Sequence, residues 1–176
     1  MRFTQTKVAG AFLIDLDRRE DNRGFFARSW CAKEYQTHGL VPRVTQINVG
    51  FTTKKAGIRG LHFQTAPDQE AKTVRCTRGA VFDVVVDLRP DSPTHKQWAG
   101  FELTPGNHSM LYIPEGCAHG YQTLTDDSEI EYLTSAAYAP NSARGFRFDD
   151  PAFGIQWPLP VGLVSDADKS WPDYAA

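Results

Sequence analysis

The chain has 176 residues, of which 41% are hydrophobic, 12% aromatic and 23% charged, a composition typical of a globular protein with a sizeable core. A formal net charge of -2 and the lack of any basic run argue against nucleic acid or membrane partners. No stretch approaches the ~18 apolar residues of a membrane span, and the first residues lack the apolar stretch of a secretory signal.

Short runs rich in Val, Ile, Phe and Tyr, bounded by turn residues, predict that most regular structure is strand. In chain order, we predict strands over residues 12–16, 43–51, 72–77, 80–88, 96–103, 109–113, 120–123 and 129–134. One helix is predicted over residues 31–38, because Gly39 follows it and suits a helix C-terminus. From about Phe153 the sequence is irregular, and we expect it to wrap back over the strands. Many short strands with frequent turns predict one all-β domain over residues 1–176, a sandwich or barrel.

The strand over residues 81–88 carries carboxylates on one of its two faces. Alternation places Asp83 and Asp87 together with Val85, and places four apolar side chains opposite them. The acidic face is therefore expected to meet either solvent or the inside of a ligand-holding barrel. Because only a short turn separates this strand from residues 72–77, we also predict that the two form a hairpin.

The three cysteines, Cys31, Cys76 and Cys117, are odd in number, far apart and without a C-x-x-C pair. This pattern predicts free thiols, and free thiols are typical of the reducing cytoplasm. We therefore expect a cytoplasmic protein.

Two segments concentrate histidine in ways that ordinary strands do not require. In residues 57–64, simple alternation places Arg59 on one face and His62 on the other. Residues 114–119 read P-x-G-x-x-H, the second cupin motif, which presents His119 at the start of a barrel strand. The first cupin motif, H-x-H, is represented only by His62, which is followed by Phe63 and has no second histidine beside it. Too few ligands remain for a divalent metal, so we expect no metal site.

Considered one at a time, the residues predict only a polar-lined β-barrel. Lys72 alone is compatible with a surface lysine, and Tyr132 and Tyr138 with packing aromatics. The segment 164–171, which contains Asp168, reads on its own as a solvated tail.

Taken together and in order, the motifs resemble the dTDP-4-dehydrorhamnose 3,5-epimerase family, the RmlC-like cupins. The resemblance runs from about Val8 to Pro172 and rests on residues 21–26, 46–48, 58–64, 71–76, 81–89, 113–120, 149–151 and 154–158. It implies an all-β cupin fold, a double-stranded β-helix or jelly-roll barrel with a few short helices. It also implies catalysis without a cofactor.

The resemblance implies epimerisation at C3, at C5 or at both, the carbons that flank the C4 ketone of a nucleotide-linked 4-keto-6-deoxy sugar. His62 resembles the general base, and Asp168 resembles the carboxylate that pairs with it. Lys72 matches the lysine that faces the ketone, where the enolate charge develops. Tyr132 matches the phenol that returns a proton to the opposite face of the sugar.

The resemblance also implies how the substrate is held. Arg23 and Arg59 match residues that hold the diphosphate, and the pocket residues implied by analogy are Gln46, Asn48, His119 and Tyr138. Homodimers are typical of the family, with an N-terminal strand that crosses to the partner. Phe26 and Arg28 are therefore expected to serve the neighbouring site. Arg28 stands where dTDP-specific members carry a glutamate that helps to recognise the thymine-bearing end.

Several functions remain open at this point. A one-centre epimerase or a ketoisomerase that acts on a CDP- or GDP-sugar would accommodate Arg28. A cupin that binds a sugar nucleotide without turning it over would need no paired acid and base. A metal-dependent dioxygenase cupin would need the bound metal that the histidine pattern argues against.

Overall fold

The structure is a computed structural model that describes residues 1–174. In chain order, its elements are β1 Arg2–Gln5, β2 Phe12–Asp15, β3 Arg19–Asp21, β4 Gly24–Phe26, α1 Ala32–Thr37, β5 Gln46–Thr52, β6 Ile58–Gln64, β7 Lys72–Arg78, β8 Val81–Asp87, β9 Trp98–Leu103, β10 Met110–Ile113, β11 Cys117–Thr123, β12 Ser128–Thr134, β13 Ala143–Gly145 and α2 Asp166–Lys169.

Two antiparallel sheets make up the body of the molecule. One has six strands in the order β1-β2-β10-β7-β12-β5, and the other has five in the order β13-β6-β11-β8-β9. A separate two-stranded ribbon is formed by β3 and β4. The prediction of an all-β sandwich or barrel is therefore confirmed, as are the eight predicted strand regions, with ends shifted by a few residues.

Three of the apolar clusters hold the main layers of the molecule together. The main core lies between the sheets and takes Val74 from β7, Val85 from β8 and Leu111 from β10. Because burial of an apolar side chain is worth about 1.5–3 kcal/mol, this layer is the chief source of stability. A second cluster packs α1, through Tyr35, against the outer face of the six-stranded sheet. A third covers the outer face of the five-stranded sheet with the C-terminal segment, including Phe153, as predicted.

The predicted helix is present as α1, and its end has the expected cause. Gly39 follows with φ +74°, a left-handed conformation that glycine adopts without a Cβ clash. Its N–H donates to the carbonyl of Gln36, and the N–H of Leu40 donates to the carbonyl of Tyr35. Within residues 1–174, neither helix has the length and apolar character needed to cross a bilayer.

The predicted hairpin between the strands at residues 72–77 and 80–88 is wrong. In the structure, β7 pairs on its two edges with β10 and β12, whereas β8 pairs with β9 and β11. The short connection around Gly79 therefore carries the chain from one sheet to the other. A tight turn is compatible both with a hairpin and with a crossing between two sheets, so the turn residues alone could not predict which one forms.

The acidic face of β8 points into the space between the sheets. Asp83 and Asp87 are both fully buried there, at 0% exposure. Burial alone would raise the pKa of Asp87, but hydrogen bonds from Arg89, Ser92 and Thr94 lower it to about 2. Of the two expected settings for this face, the structure selects the inside of the barrel.

The alternation predicted for residues 57–64 is also wrong. His62 lies opposite His119 in the ladder between β6 and β11, and Arg59 lies opposite Tyr121. Between these pairs β6 has two residues and β11 has one, which is the arrangement of a β-bulge. The extra residue reverses the alternation, so Arg59 and His62 face the same cavity.

Candidate active site

A cavity of about 590 Å³ opens between the two sheets. The volume lies within the usual range for small-molecule sites. Its walls come from β5, β7 and β12 of one sheet and from β6, β11 and β13 of the other. The predicted site residues among its lining are Gln46, Asn48, Arg59, His62, Lys72, His119, Tyr132 and Tyr138.

His62 and Asp168 form a hydrogen-bonded pair at the cavity wall. The His62 Nε2 atom lies 2.6 Å from Asp168 Oδ1 across 106 residues of sequence. The imidazole is about half exposed towards the cavity, whereas the Asp168 side chain is 7% exposed. A carboxylate in this position fixes the ring orientation and stabilises the imidazolium that forms when the ring accepts a proton.

The helix α2 holds Asp168 in place. Ser165 caps the helix, and its hydroxyl accepts the N–H of Asp168 at 3.0 Å. Burial alone would raise the pKa of Asp168, but the hydrogen bond and charge of His62 and the bond from Ser165 keep it below its usual value. The carboxyl therefore stays ionised at neutral pH.

Lys72 and Tyr132 lie on the facing wall, in the six-stranded sheet. The Lys72 ammonium is 9% exposed and contacts the Glu70 carboxylate at 2.5 Å. Burial raises the pKa of Tyr132, and the charge of Glu70 raises it further, against the opposing effect of Arg59. Tyr132 is consequently a protonated phenol at neutral pH and is able to donate.

A second histidine–carboxylate pair lies deeper in the cavity. His119 Nε2 is 3.1 and 3.0 Å from the two carboxylate oxygens of Asp83. The His119 ring stacks on Tyr121, with 6.3 Å between the ring centroids. His119 therefore presents a fixed ring to the cavity from the central strand of its sheet.

Arg59 brings an unneutralised cation to the cavity. Its Nε donates to Thr52 at 3.0 Å and its Nη2 to the carbonyl of Phe51 at 2.9 Å. Within the part of the chain that is described, no carboxylate lies within salt-bridge distance of it. Such a guanidinium is suited to an anionic group such as a diphosphate.

Gln46, Asn48 and Tyr138 lie on or beside the edge strand β5. The Gln46 side-chain oxygen accepts the backbone N–H of Tyr138 at 2.9 Å, which joins the strand to the loop after β12. The Tyr138 ring is 66% exposed, so it offers a flat apolar surface beside the cavity.

Arg23, Phe26 and Arg28 do not join the cavity of their own chain. Arg23 is exposed and bonds to Asp21 within the β3–β4 ribbon, at 2.6 Å. Phe26 and Arg28 line a separate depression of about 200 Å³. The Arg28 guanidinium there approaches Glu34 at 3.4 Å.

Five lining residues with charged or aromatic side chains were not predicted from the sequence. They are Phe63, Glu70, Tyr121, Arg144 and Trp171. Tyr121 follows the P-x-G-x-x-H motif by two residues on the same strand, so strand alternation was a usable signal for it. The other four depend on the bulge in β6 and on the route of loops and the C-terminal segment. Among residues 1–174, no group of three or more His, Cys, Asp or Glu side chains is close enough to hold a metal ion.

Comparison with known proteins agrees with this geometry. The family model described as dTDP-4-dehydrorhamnose 3,5-epimerase matches residues 5–176. A dTDP-4-dehydrorhamnose 3,5-epimerase of Salmonella typhimurium is 42% identical over 176 residues, which cover 97% of this chain and 95% of the relative.

Solved structures give the same result. The crystal structure of the Bacillus anthracis dTDP-4-dehydrorhamnose 3,5-epimerase, with TDP and PPi bound, is 36% identical with a TM-score of 0.93, covering 98% of this chain and 99% of that one. A Legionella pneumophila epimerase in complex with dTDP-4-keto-L-rhamnose is 32% identical with a TM-score of 0.88, covering 99% of each chain. The protein therefore has the cupin-type fold and belongs to the dTDP-4-dehydrorhamnose 3,5-epimerase family of isomerases.

Proposed function

We propose that this chain epimerises C3, C5 or both of a dTDP-linked 4-keto-6-deoxy sugar, without a cofactor. The observation that carries the proposal is the division of one cavity between two walls. The His62–Asp168 pair lies on one wall, and Lys72 and Tyr132 lie on the wall formed by the other sheet. Inversion of a carbon needs a base and an acid on opposite faces of the sugar, and this arrangement supplies both.

His62 removes the proton next to the ketone. Its Nε2 is bonded to Asp168, so Nδ1 is the ring nitrogen left to accept the substrate proton. The ionised carboxylate stabilises the imidazolium product, which lowers the barrier to abstraction. Catalysis by a positioned base of this kind typically contributes about 10²- to 10⁴-fold.

Lys72 stabilises the enolate formed when the proton leaves. Negative charge then develops on the C4 oxygen, and a fixed ammonium binds that charge more strongly than it binds the neutral ketone. Tyr132, protonated at neutral pH, gives a proton to the opposite face. The tyrosinate that results shares the cavity with Arg59, whose positive charge favours its formation.

We further propose a homodimer in which the β3–β4 ribbon completes the neighbouring cavity. The edge strand β5 exposes Ile47, Val49 and Phe51, at 61, 63 and 40%, and the ribbon exposes Phe25 and Phe26. Apolar side chains at a sheet edge favour association with a second copy. In that arrangement Arg23 and Arg28 of one protomer meet the diphosphate or the base held by the other.

Solvent deuterium exchange tests the reaction. Incubation with dTDP-4-keto-6-deoxyglucose in D2O should introduce deuterium at C3, at C5 or at both, and NMR of the product assigns the inverted centres. The same assay with the CDP- and GDP-linked sugars tests the effect of Arg28. If deuterium enters none of the nucleotide-linked sugars, the chain binds a sugar nucleotide without turning it over.

Sedimentation velocity tests the dimer, which should have twice the 19.7 kDa mass of one chain. Mixing inactive His62→Asn and Arg23→Met chains should restore activity if the two residues serve the same site from different protomers. We also propose a cytoplasmic location, supported by the free thiols Cys31, Cys76 and Cys117.

A further inference from the structure

Glu70 is a largely buried carboxylate in the cavity, and the proposed reaction gives it no role. It precedes β7 by two residues, and its side chain is 10% exposed. Its Oε1 lies 2.5 Å from the Lys72 ammonium. Acids so little exposed to solvent are rare unless they are paired, so Lys72 is the partner that allows this carboxylate to lie in the cavity.

The other carboxylates near the cavity are already engaged. Asp168 is bonded to His62 and Asp83 to His119, each behind its histidine. Within residues 1–174, Glu70 is the acidic side chain that lines the cavity itself. The titratable and charged groups that line the cavity with it are Arg59, His62, Lys72, His119, Tyr121, Tyr132, Tyr138 and Arg144.

The contact has two physical consequences for the facing wall. A lysine side chain has four rotatable bonds, and an ion pair with a buried carboxylate restricts them to one arrangement. The negative charge also disfavours ionisation of Tyr132, since a tyrosinate would be a second anion in the same cavity. Arg59, the opposing charge, is held by Thr52 and the Phe51 carbonyl and remains in place if Glu70 is altered.

We propose that Glu70 is a positioning residue that fixes the Lys72 ammonium at the cavity wall, and that its negative charge opposes the formation of a second anion at Tyr132. The inference rests on the proposed roles of Lys72 and Tyr132. Glu70 therefore has two separable effects. The length of its side chain determines where the Lys72 ammonium lies, and its charge affects the pH at which Tyr132 ionises.

Two substitutions separate these properties. Glu70→Gln keeps the length and an acceptor oxygen but removes the charge, so the alkaline limb of the kcat profile should move about 0.5–1 pH unit lower. Its kcat near neutral pH should fall by less than about threefold. Glu70→Asp keeps the charge but draws the ammonium away, so its alkaline limb should stay in place while kcat falls about tenfold. The KM of both variants should stay within about twofold of wild type.

Glu131→Gln is the matched control. Glu131 neighbours Tyr132 on β12 but pairs with Arg75 at 2.7 Å outside the cavity. The proposal is overturned if the limb of Glu70→Gln does not move, if Glu131→Gln moves it as far, or if Glu70→Asp retains full kcat. Thermal melting of each variant checks that it is folded.

A substrate-free measurement separates this inference from the proposed reaction. The ionisation of Tyr132 is followed by NMR of protein labelled with ¹³Cζ-tyrosine, with Tyr132→Phe assigning the signal. Glu70→Gln should lower the pH at which that signal titrates. If wild type fails to exchange deuterium but the titration still shifts, the proposed function fails and the electrostatic role of Glu70 stands. If exchange proceeds and the titration is unmoved, the inference about Glu70 fails.

Discussion

Replacement of Asp168 by asparagine removes the negative charge beside His62, the proposed base, with little change in the size of the side chain. In the structure, Asp168 Oδ1 lies 2.6 Å from His62 Nε2 and is held by α2. Asparagine retains an oxygen at the same distance, so the imidazole keeps a neighbour but loses the anion. The effect should appear when the ring becomes positively charged, which is at proton abstraction.

The size of the effect follows from the geometry. With about 4 Å between the charge centres, an effective dielectric of about 20 gives an attraction of about 4 kcal/mol. His62 is 47% exposed, so solvent screens part of this attraction, and about half remains. A loss of about 2 kcal/mol in the transition state corresponds to about a 30-fold lower kcat.

The assay is the initial rate of deuterium incorporation into the keto sugar at saturating substrate. Asp166→Asn serves as the control, because Asp166 lies on the same helix but is fully exposed and bonds to Lys169 rather than to His62. That variant should retain its rate within about twofold. A folded Asp168→Asn enzyme with a kcat within threefold of wild type would refute the role given to the carboxylate.

Two further predictions concern stability. The pKa of Asp87 is about 2 in the folded chain and 3.8 in an unfolded one. Ionised Asp87 therefore adds about 2 kcal/mol to the free energy of unfolding at neutral pH, and this contribution is lost as pH falls from about 4 towards 2. Asp87→Asn should therefore lower stability at pH 7 and flatten its loss in acid, as measured by urea unfolding at stepped pH; equal acid sensitivity in both proteins would contradict this. Gly145→Ala would bring a Cβ to 2.5 Å from the Trp171 ring and 2.7 Å from the Leu61 carbonyl. Such overpacking should cost about 1–3 kcal/mol, seen as a lower Tm, and an unchanged Tm would contradict the close packing around this glycine.

The sequence allowed the strands to be predicted because their apolar faces had to be buried. The run at residues 81–88 is a clear example, since Val84 and Val86 are buried against the C-terminal segment and Asp83 and Asp87 face inwards. Which strands pair was harder to predict, because pairing depends on the sheet edges that other strands occupy. The strand β7 has neighbours on both edges, which leaves no place for β8 beside it.

The candidate site was predicted through motifs rather than through residue chemistry. Asp168 alone reads as part of a solvated tail, and only the family resemblance connected it with His62. Arg59 and His62 were expected on opposite faces, because nothing in residues 57–64 marks the extra residue of the bulge. Glu70 was missed for a similar reason, since a carboxylate two residues before a strand is usually a solvated one.

The position of the His62 partner affects when the protein becomes functional during synthesis. His62, Lys72 and Tyr132 all lie within the first 134 residues, and both sheets are complete at Gly145. The helix that carries Asp168 begins only at Asp166. Asp168 is therefore synthesised after every strand of both sheets, so the partner of His62 is added to a barrel whose strands are already made.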